Sequence, residues 1–445
     1  MQKYKKLGIW VLGLLLILLV LPFFISLETY LLQAESMASK ALGVPITLSK
    51  ADLFFLPTPH VSISGIEIGE SKDAHASRVV ITPTLSTLFS SQRIIDVELQ
   101  DVKLKQSALG IYDLLSKDSS STEPAPVILR KLEIKRLNLD FPDSKIPESN
   151  VLVTLKDNQL NHATVTSTDG KIHMALTPEG ENHHAVLTIN QFELPGNMKF
   201  EIDAGTFDMM VKLKGSQLDI SRFNLSLYQG NVSGKGILRW AKSWQLKGDF
   251  TVEHLSLAQP SRMISPDTYM SGSLHGQGGF SAQAKNAESL ANGLLADFTF
   301  KVDNGVLHGV DLIKAASLLV KQKDFSGETQ FDQFSGKLNV SGKQYKLSKL
   351  QINSGLLTAA GQVRVSPKDE LDGLIDVQIK KSAGLVSVPL AVSGTLNSPT
   401  VLPSKAALAG AAVGTAVLGP GVGTSLGIKA SEGLNKLKKG LFGGD

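Results

Sequence analysis

The sequence predicts a mainly β protein: an N-terminal transmembrane helix, an antiparallel β sheet with a few short helices, and an Ala/Gly-rich C-terminal helical hairpin. Three observations predict this fold class. Residues 7–27 form an uninterrupted apolar run, aliphatic and polar side chains alternate over most of the chain, and residues 406–428 carry no charge and consist largely of small side chains.

The apolar run LGIWVLGLLLILLVLPFFISL (residues 7–27) has the length of a membrane-spanning helix, which needs about 20 apolar residues. Lysines lie before it within residues 1–6, whereas Glu28 and Glu35 follow it. The positive-inside rule therefore places a cytoplasmic tip at 1–6 and the rest of the chain outside the cytoplasm. A cleaved signal peptide is the alternative, but the run is long for one and no clear A-x-A site follows.

Composition excludes two classes of function. A formal net charge of +4 over 445 residues is too small to indicate a nucleic-acid-binding protein, so no nucleic acid is expected as a partner. The chain has no cysteine, which excludes disulfides and thiolate metal sites. Absence of cysteine is common in proteins that fold in an oxidising compartment.

From about residue 45 to 399 the dominant pattern has period two. Such strands bury one face and expose the other, as in antiparallel meanders. The clearest examples are VSISGIEIG (61–69), DVELQDVKLK (96–105), KLEIKRLNLDF (131–141), GKLNVSG (336–342), KLSKLQI (346–352), GQVRVS (361–366) and DVQIKK (376–381).

The alternating region divides into a module at 28–116, which begins with a helix continuing the anchor, and a β domain at 127–404. Between them KDSSSTEPAP (117–126) is polar and proline-rich and is predicted to be a linker or exposed loop. Short helices are predicted near 286–294 and 310–321, with Asp311 capping the second.

An internal repeat relates residues 206–240 to residues 330–365. One such unit cannot bury its apolar face alone, so repeats stack. The alternative is that any two β meanders look alike. The matched positions include Gly215 with Gly342, Phe223 with Leu350 and, beyond a short gap, Gly236 with Gly361.

The apolar face of such a sheet needs a cover. A second sheet would make a sandwich with a dry core; composition alone does not choose between the two arrangements, and without the family resemblance given below the sandwich is favoured. A trough would instead leave an exposed apolar lining, and exposed apolar surface of that size marks a ligand or membrane site. For a protein held at a membrane, the fitting ligand is an acyl chain.

Three stretches resemble the AsmA family of envelope proteins of Gram-negative bacteria. They are ALGVPITLSKADLFFLPTPHVSISGIEIG (41–69), FTFKVDNGVLHGVDLIKAASLL (298–319) and SVPLAVSGTLNSPTVLPS (387–404). Their order behind an N-terminal anchor carries the resemblance, which covers about residues 1–405.

The resemblance implies a single-pass inner-membrane protein whose periplasmic part is an elongated, curved β sheet forming a groove or trough. Such a protein is similar to bridge-like lipid-transfer proteins. It is expected to conduct phospholipids passively, with the inner membrane and possible outer-membrane or envelope proteins as partners, supporting outer-membrane lipid homeostasis and envelope integrity. The alternative is a scaffold that assists outer-membrane protein assembly by presenting a sheet edge.

The alternating apolar positions are the candidates for the lipid-groove lining, and ordinary core packing is the alternative for each. They are Val61, Ile63, Ile66, Ile68, Leu132, Ile134, Leu137, Leu139, Leu338, Val340, Leu347, Leu350, Ile352, Val363, Val365, Val377 and Ile379.

No combination of residues predicts an enzyme, a metal site or a cofactor. Ser425 fits a G-x-S-x-G motif, but no histidine follows His308 to complete a triad in the expected chain order. His183 and His184 lie in a predicted polar turn without further ligands. A second pair, Trp240 and Trp244, is predicted either to pack in a hairpin or to mark an interface with lipid head groups.

The tail at 405–445 begins with two small-residue helical arms separated by Pro420 and Gly421, predicted to dip into a membrane or to plug the trough. Residues 429–442 then form a basic amphipathic segment suited to an anionic lipid surface, or a flexible tail that closes the end of the groove. The membrane-surface candidates are Leu434, Lys436, Leu437, Lys438, Lys439, Leu441 and Phe442.

Overall fold

The computed structural model describes residues 28–84, 87, 93–105, 127–140, 146–156, 159–193, 201–212, 215–240, 242–286, 289–317, 327–380 and 387–409. The predicted anchor at 7–27, the predicted linker at 117–126 and the membrane-surface candidates from Leu434 to Phe442 lie outside these ranges. Within them, no helix combines the length and the apolar character needed to span a bilayer. The described chain is mainly β, as the alternation predicts.

The chain divides into two compact units, unit 1 (Met1–Asn197) and unit 2 (Met198–Asp445). The division differs from the predicted boundary at 117–126. The strands on the two sides of the predicted linker pair with each other within unit 1, so both belong to one sheet.

Unit 1 is a nine-stranded sheet preceded by one helix, and its strands pair in chain order. The β4–β5 pair is parallel, whereas the other pairs in the unit are antiparallel. A parallel pair needs a connection of a dozen or more residues, which 106–126 provides. The elements are α1 Glu28–Leu42, β1 Ile46–Phe54, β2 His60–Ile68, β3 Ala74–Pro83, β4 Arg93–Lys105, β5 Val127–Asp140, β6 Ser149–Lys156, β7 Gln159–Ser167, β8 Ile172–Glu179 and β9 Asn182–Glu193.

A line of backbone irregularities keeps the apolar residues of unit 1 on one face. In β2 the apolar residues change from odd-numbered to even-numbered positions at Gly65, whose φ is +64°. Residues with a left-handed backbone conformation lie at the corresponding places in β4 (Asp101) and β5 (Arg136). One extra residue reverses the alternation of a strand. The register therefore aligns the two halves of each apolar set across β4 and β5: Val97 with Leu132, Leu99 with Ile134, Val102 with Leu137 and Leu104 with Leu139.

Ion pairs on the opposite face join the two parallel strands. Lys135 Nζ lies 2.8 Å from Glu98 Oε1, and Arg136 Nε lies 2.5 Å from Asp101 Oδ1. Hydrogen bonds from Arg136 and Ser77 lower the pKa of the Asp101 carboxyl to about 2. Asp101 and Arg136, the left-handed residues that interrupt β4 and β5, thus also form an ion pair with each other.

The Asp101 carboxylate predicts a pH-dependent stability. Because its folded-state pKa is lowered from 3.8, its pairing stabilises the fold above that value and is lost as the pH falls toward about 2. Replacing Asp101 with Asn keeps a residue that tolerates the left-handed conformation but removes the charge. We expect the wild-type chain to exceed the D101N variant in stability at neutral pH and the two to converge near pH 2 in denaturant titrations. A difference that did not change with pH would contradict the assignment.

Side chains of α1 cover the outer edge of β1. Glu35 Oε1 accepts a hydrogen bond from the Leu48 amide at 2.6 Å, and Ser39 Oγ accepts one from the Ile46 amide at 2.9 Å. An edge strand otherwise presents such groups to other chains. The two acceptors are four residues apart and so lie on one face of the helix. This spacing fixes α1 against the first strand of the sheet.

Replacing Glu35 with Ala leaves the Leu48 amide without its acceptor. We expect exchange of the Leu48 amide hydrogen to accelerate, with a loss of about 1 kcal/mol of local stability. Amide hydrogen exchange of the full-length chain measures this directly. Gln33→Ala, at an exposed position of the same helix, serves as the control and leaves the Leu48 exchange rate unchanged.

Unit 2 is an antiparallel meander of twelve strands paired in chain order. The elements are β10 Glu201–Lys212, β11 Gln217–Leu227, β12 Gly230–Arg239, β13 Trp244–Ser256, α2 Ala258–Ile264, β14 Met270–Ala284, a 3-10 helix Leu290–Gly293, β15 Leu295–His308, α3 Leu312–Ala316, β16 Glu328–Ser341, β17 Gln344–Asn353, β18 Leu357–Val365, β19 Leu371–Ile379, β20 Ser387–Gly394 and β21 Pro399–Pro403.

The predicted helices of this unit are shorter than expected. Within the stretch predicted at 286–294, Leu290–Gly293 forms a single 3-10 turn between β14 and β15. The helix predicted at 310–321 is α3, and the predicted cap is observed because Asp311 Oδ1 accepts from the Lys314 amide at 2.9 Å. Residues 318–326 lie outside the described ranges.

The internal repeat corresponds to two hairpins with the same register. In β11–β12, Phe223 faces Gly234, and in β17–β18, Leu350 faces Gly361. Both hairpins carry a bulge just before the first of these residues. The structural partner of Gly361 is therefore Gly234 rather than Gly236, and the gap assumed from the sequence is wrong for this pair of strands.

Candidate functional site

One continuous apolar face runs across unit 2. Residues that pair directly across adjacent strands lie on the same face of a sheet, so the pairing register traces rows across it. The row through the middle of the sheet contains only phenylalanine, leucine, valine and glycine from β10 to β21. Its members are Phe207, Phe223, Gly234, Phe250, Gly278, Phe298, Leu338, Leu347, Val363, Gly373, Val392 and Val401.

Phenylalanine rings lie over glycines of neighbouring strands on this face. A Cβ atom added at Gly276 would come 2.6 Å from the Phe298 ring, and one at Gly305 would come 2.4 Å from the Phe331 ring. The glycines therefore leave space that the rings occupy. Three further contacts of this type pair Gly234 with Phe223, Gly248 with Phe280 and Gly336 with Phe300.

The part of the face on β10–β15 combines buried residues, such as Val252 and Phe300, with half-buried phenylalanines. We call its half-buried phenylalanines the aromatic strip. Ring centroids within the strip lie 5.4 Å apart for Phe250 and Phe298 and 6.3 Å apart for Phe250 and Phe280. The strip consists of Phe207, Phe223, Phe250, Phe280 and Phe298.

The part of the face on β16–β21 is covered by α3. Leu312 and Ala315 of this helix are each 1% exposed and lie in one buried cluster with Leu350, Leu390 and other residues of the strands. Thr329 holds the start of the helix, because its Oγ1 accepts from the Leu312 amide at 2.9 Å and donates to the Val310 carbonyl at 2.8 Å.

A cavity of about 240 Å³ lies beside α3 on this face. Thr268 is the one residue with a polar side chain among those that line it. The full set is Thr268, Met270, Leu307, Val310, Leu312, Phe331, Phe334, Leu347, Leu350, Ile352, Ala359, Ala360, Gly361, Val363, Val365, Leu371, Ile375, Val392, Leu396, Pro399 and Val401.

The cavity requires the sheet of unit 2 to wrap around it. Its lining comes from β14 through β21, with Met270 from the first of these strands and Val401 from the last. Eight strands laid flat at about 4.8 Å spacing would extend about 34 Å, several times the width of a 240 Å³ cavity. Residues from all eight can line one cavity only if the sheet bends toward α3.

The structure gathers the predicted lining residues of unit 2 around this cavity. Those on the cavity wall are Leu347, Leu350, Ile352, Val363 and Val365. Leu338, Val377 and Ile379 belong to the surrounding apolar cluster. Val340 lies outside that cluster but on the same face, in the row that also contains Phe280 and Tyr345. Sequence reasoning predicted the helix α3 but missed its place beside the cavity and missed the aromatic strip, although phenylalanine and glycine at alternating positions of neighbouring strands could have indicated the strip.

The predicted lining residues of unit 1 form a separate apolar face. Ile63, Ile66, Ile68, Ile134 and Leu137 belong to one cluster, while Val61, Leu132 and Leu139 are half-buried outside it. The row through Val61 and Leu132 continues across the unit to β9. Its members are Leu53, Val61, Ile81, Val97, Leu132, Val153, Ala163, Leu176 and Ala185.

The other predicted positions have structural placements. His183 and His184 begin β9 opposite Pro178 and Thr177, so the prediction of a turn at the histidines is wrong by a few residues. In the described part of the chain, no group of three or more potential ligands could hold a metal ion. Trp240 and Trp244 flank the β12–β13 turn with ring centroids 6.2 Å apart.

Comparison with known proteins identifies no relative: no family model matches the chain, and no curated protein gives a significant match.

The ring-over-glycine packing predicts a large cost for a small substitution. Gly276→Ala would place a methyl group 2.5 Å from the Thr299 carbonyl oxygen and 2.6 Å from the Phe298 ring, so we expect a loss of about 1–3 kcal/mol in urea unfolding. Gly355→Ala is the control, because a Cβ there meets no atom within 4 Å. An equal loss of stability in both variants would contradict this account of the face.

Proposed function

We propose that the chain is a membrane-anchored periplasmic protein that shields phospholipid acyl chains on the apolar face of its β sheet and conducts them passively. The observation that carries the proposal is the continuous apolar face of unit 2, whose phenylalanines are half-buried at the aromatic strip and which ends in a cavity of about 240 Å³. This role corresponds to what the resemblance to the AsmA family implies, namely support of outer-membrane lipid homeostasis and envelope integrity.

The physical basis is the cost of moving a lipid through water. Exposing its chains costs about 0.8 kcal/mol per methylene group, and an apolar surface removes most of that cost. The cavity is larger than the ~150 Å³ apolar cavities that stay dry and admit benzene-sized ligands, but smaller than the ~300–1,000 Å³ of whole-ligand pockets. It therefore fits part of one acyl chain, with the remainder lying along the aromatic strip.

Passive conduction needs no reacting group. The cavity lining carries no charged side chain, and its one polar side chain is Thr268. A uniform lining binds successive positions of a chain with similar free energy, so a lipid moves along it without a large barrier. Direction would then come from the lipid gradient or from partners.

The alternative role as an assembly scaffold requires an available sheet edge. The edge of β1 is covered by Glu35 and Ser39 of α1. Along β21 the backbone groups of Pro399, Val401 and Pro403 point away from β20. The two prolines have no amide hydrogen to donate to an added strand. These features disfavour strand addition at β1 and β21 and support the lipid role.

Lipid retention by the full-length chain tests the proposal. Leu347 lines the cavity, and Ser348 is its neighbour in the adjacent bulge, outside the lining. After gentle detergent extraction, we expect mass spectrometry to find phospholipid with the wild-type chain and with Ser348→Asp, but several-fold less with Leu347→Asp, because a carboxylate in an apolar cavity opposes acyl chains.

Circular dichroism of the two variants separates loss of lipid from loss of the fold. Ala359→Leu provides a second route, since it fills part of the cavity without adding charge. Folded variants that retain as much phospholipid as the wild-type chain would overturn the proposed function.

A further inference from the structure

One rim of the unit 2 sheet carries a lysine at each of three successive turns. In an antiparallel meander, the turns after β12, β14 and β16 lie on the same side. Their exposed lysines, which we call the basic rim, are Lys242, Lys285 and Lys343. Turns two strands apart are separated by about 10 Å. Adjacent turns also touch, since the Gly342 amide donates to the Leu294 carbonyl at 2.8 Å.

The charge of the basic rim is not used within the described part of unit 2. No carboxylate there pairs with Lys242, Lys285 or Lys343, whereas Lys212, at the end of β10 on the same side, pairs with Asp219. The opposite rim differs. Its β11–β12 turn at 228–229 carries no charge.

Two of the described cations on that opposite side are held by internal contacts. The Arg262 guanidinium lies 4.2 Å from the centre of the Tyr269 ring, and Lys380 Nζ donates to the Ser354 carbonyl at 2.6 Å. In the described part of unit 2, these two cations are therefore engaged internally, whereas the lysines of the basic rim are not.

Amphipathic aromatic side chains lie between the basic rim and the apolar face. Trp240 and Trp244 flank Lys242, and Tyr345, which is 38% exposed, pairs with Val340 in an apolar row. Tyrosine and tryptophan have an apolar body and a polar edge and are enriched where hydrocarbon meets polar head groups. The order of apolar face, amphipathic aromatics and ammonium groups matches the order of parts along an anionic lipid.

We propose that the basic rim binds the phosphate-bearing head groups of anionic lipids whose acyl chains lie on the apolar face of unit 2. This inference rests on the proposed function and names its ligand class. A lysine ammonium binds a phosphate as a point charge, without a fixed geometry. Three such groups about 10 Å apart provide successive positions for one head group that moves along the rim.

The test compares two fluorescent lipids with the same chains, phosphatidylglycerol and diacylglycerol, binding to the full-length chain in detergent. We expect the triple variant K242Q/K285Q/K343Q to bind phosphatidylglycerol roughly fivefold to tenfold more weakly, because each exposed charge pair contributes a small factor. Binding of diacylglycerol stays unchanged. Added salt weakens phosphatidylglycerol binding to the wild-type chain more than to this variant.

The matched control is K235Q/K247Q/K337Q, which removes three exposed lysines from the opposite face of the same strands and leaves binding of both lipids unchanged. Equal binding of phosphatidylglycerol by the rim variant and the wild-type chain would overturn the inference. So would an equal loss of both lipids. Leu347→Asp separates the two proposals, since it weakens binding of both lipids several-fold when the proposed function holds and of neither when that function fails.

Discussion

The architecture of both units depends on keeping the apolar side chains of a single-layered sheet on one face. Each unit is one run of neighbouring strands, so the apolar face must be maintained across every strand by register. A shift of one residue would turn a whole strand over. In unit 1 the shift is absorbed at matched positions, with left-handed residues at Gly65, Asp101 and Arg136. In unit 2 similar residues occur at His254 in β13 and Lys349 in β17.

Because the irregularities align, the polar face acquires its own organisation. The residues that interrupt β4 and β5 are an aspartate and an arginine, and they pair with each other at the interruption. This pair lies between parallel strands, whose pairing is slightly less stable per residue than antiparallel pairing. The same backbone feature thus keeps the hydrocarbon side continuous and places opposite charges in contact on the other side.

The sequence was sufficient to predict the strands, because period-two alternation is a local property of each segment. The repeat was also detectable, since Phe223 and Leu350 occupy the same place in two hairpins. What alternation cannot predict is the partner of a strand. The parallel β4–β5 pair and the division near residue 197 follow from long-range pairing, so the polar stretch at 117–126 suggested a boundary that lies elsewhere.

For the candidate site too, the residues were predictable from the sequence but their arrangement was not. Residues such as Leu347 and Ile352 were found by alternation, yet their convergence on one cavity depends on the bending of the sheet toward α3, which no single strand encodes. That bending also explains why the apolar face changes character along the unit. Where α3 covers it, the face is a packed core around a cavity, and at the aromatic strip half-buried phenylalanine rings over glycines form its surface. A sandwich would have covered the whole face evenly. The partial cover instead leaves an apolar surface beside a polar rim, which is the arrangement that an amphipathic ligand requires.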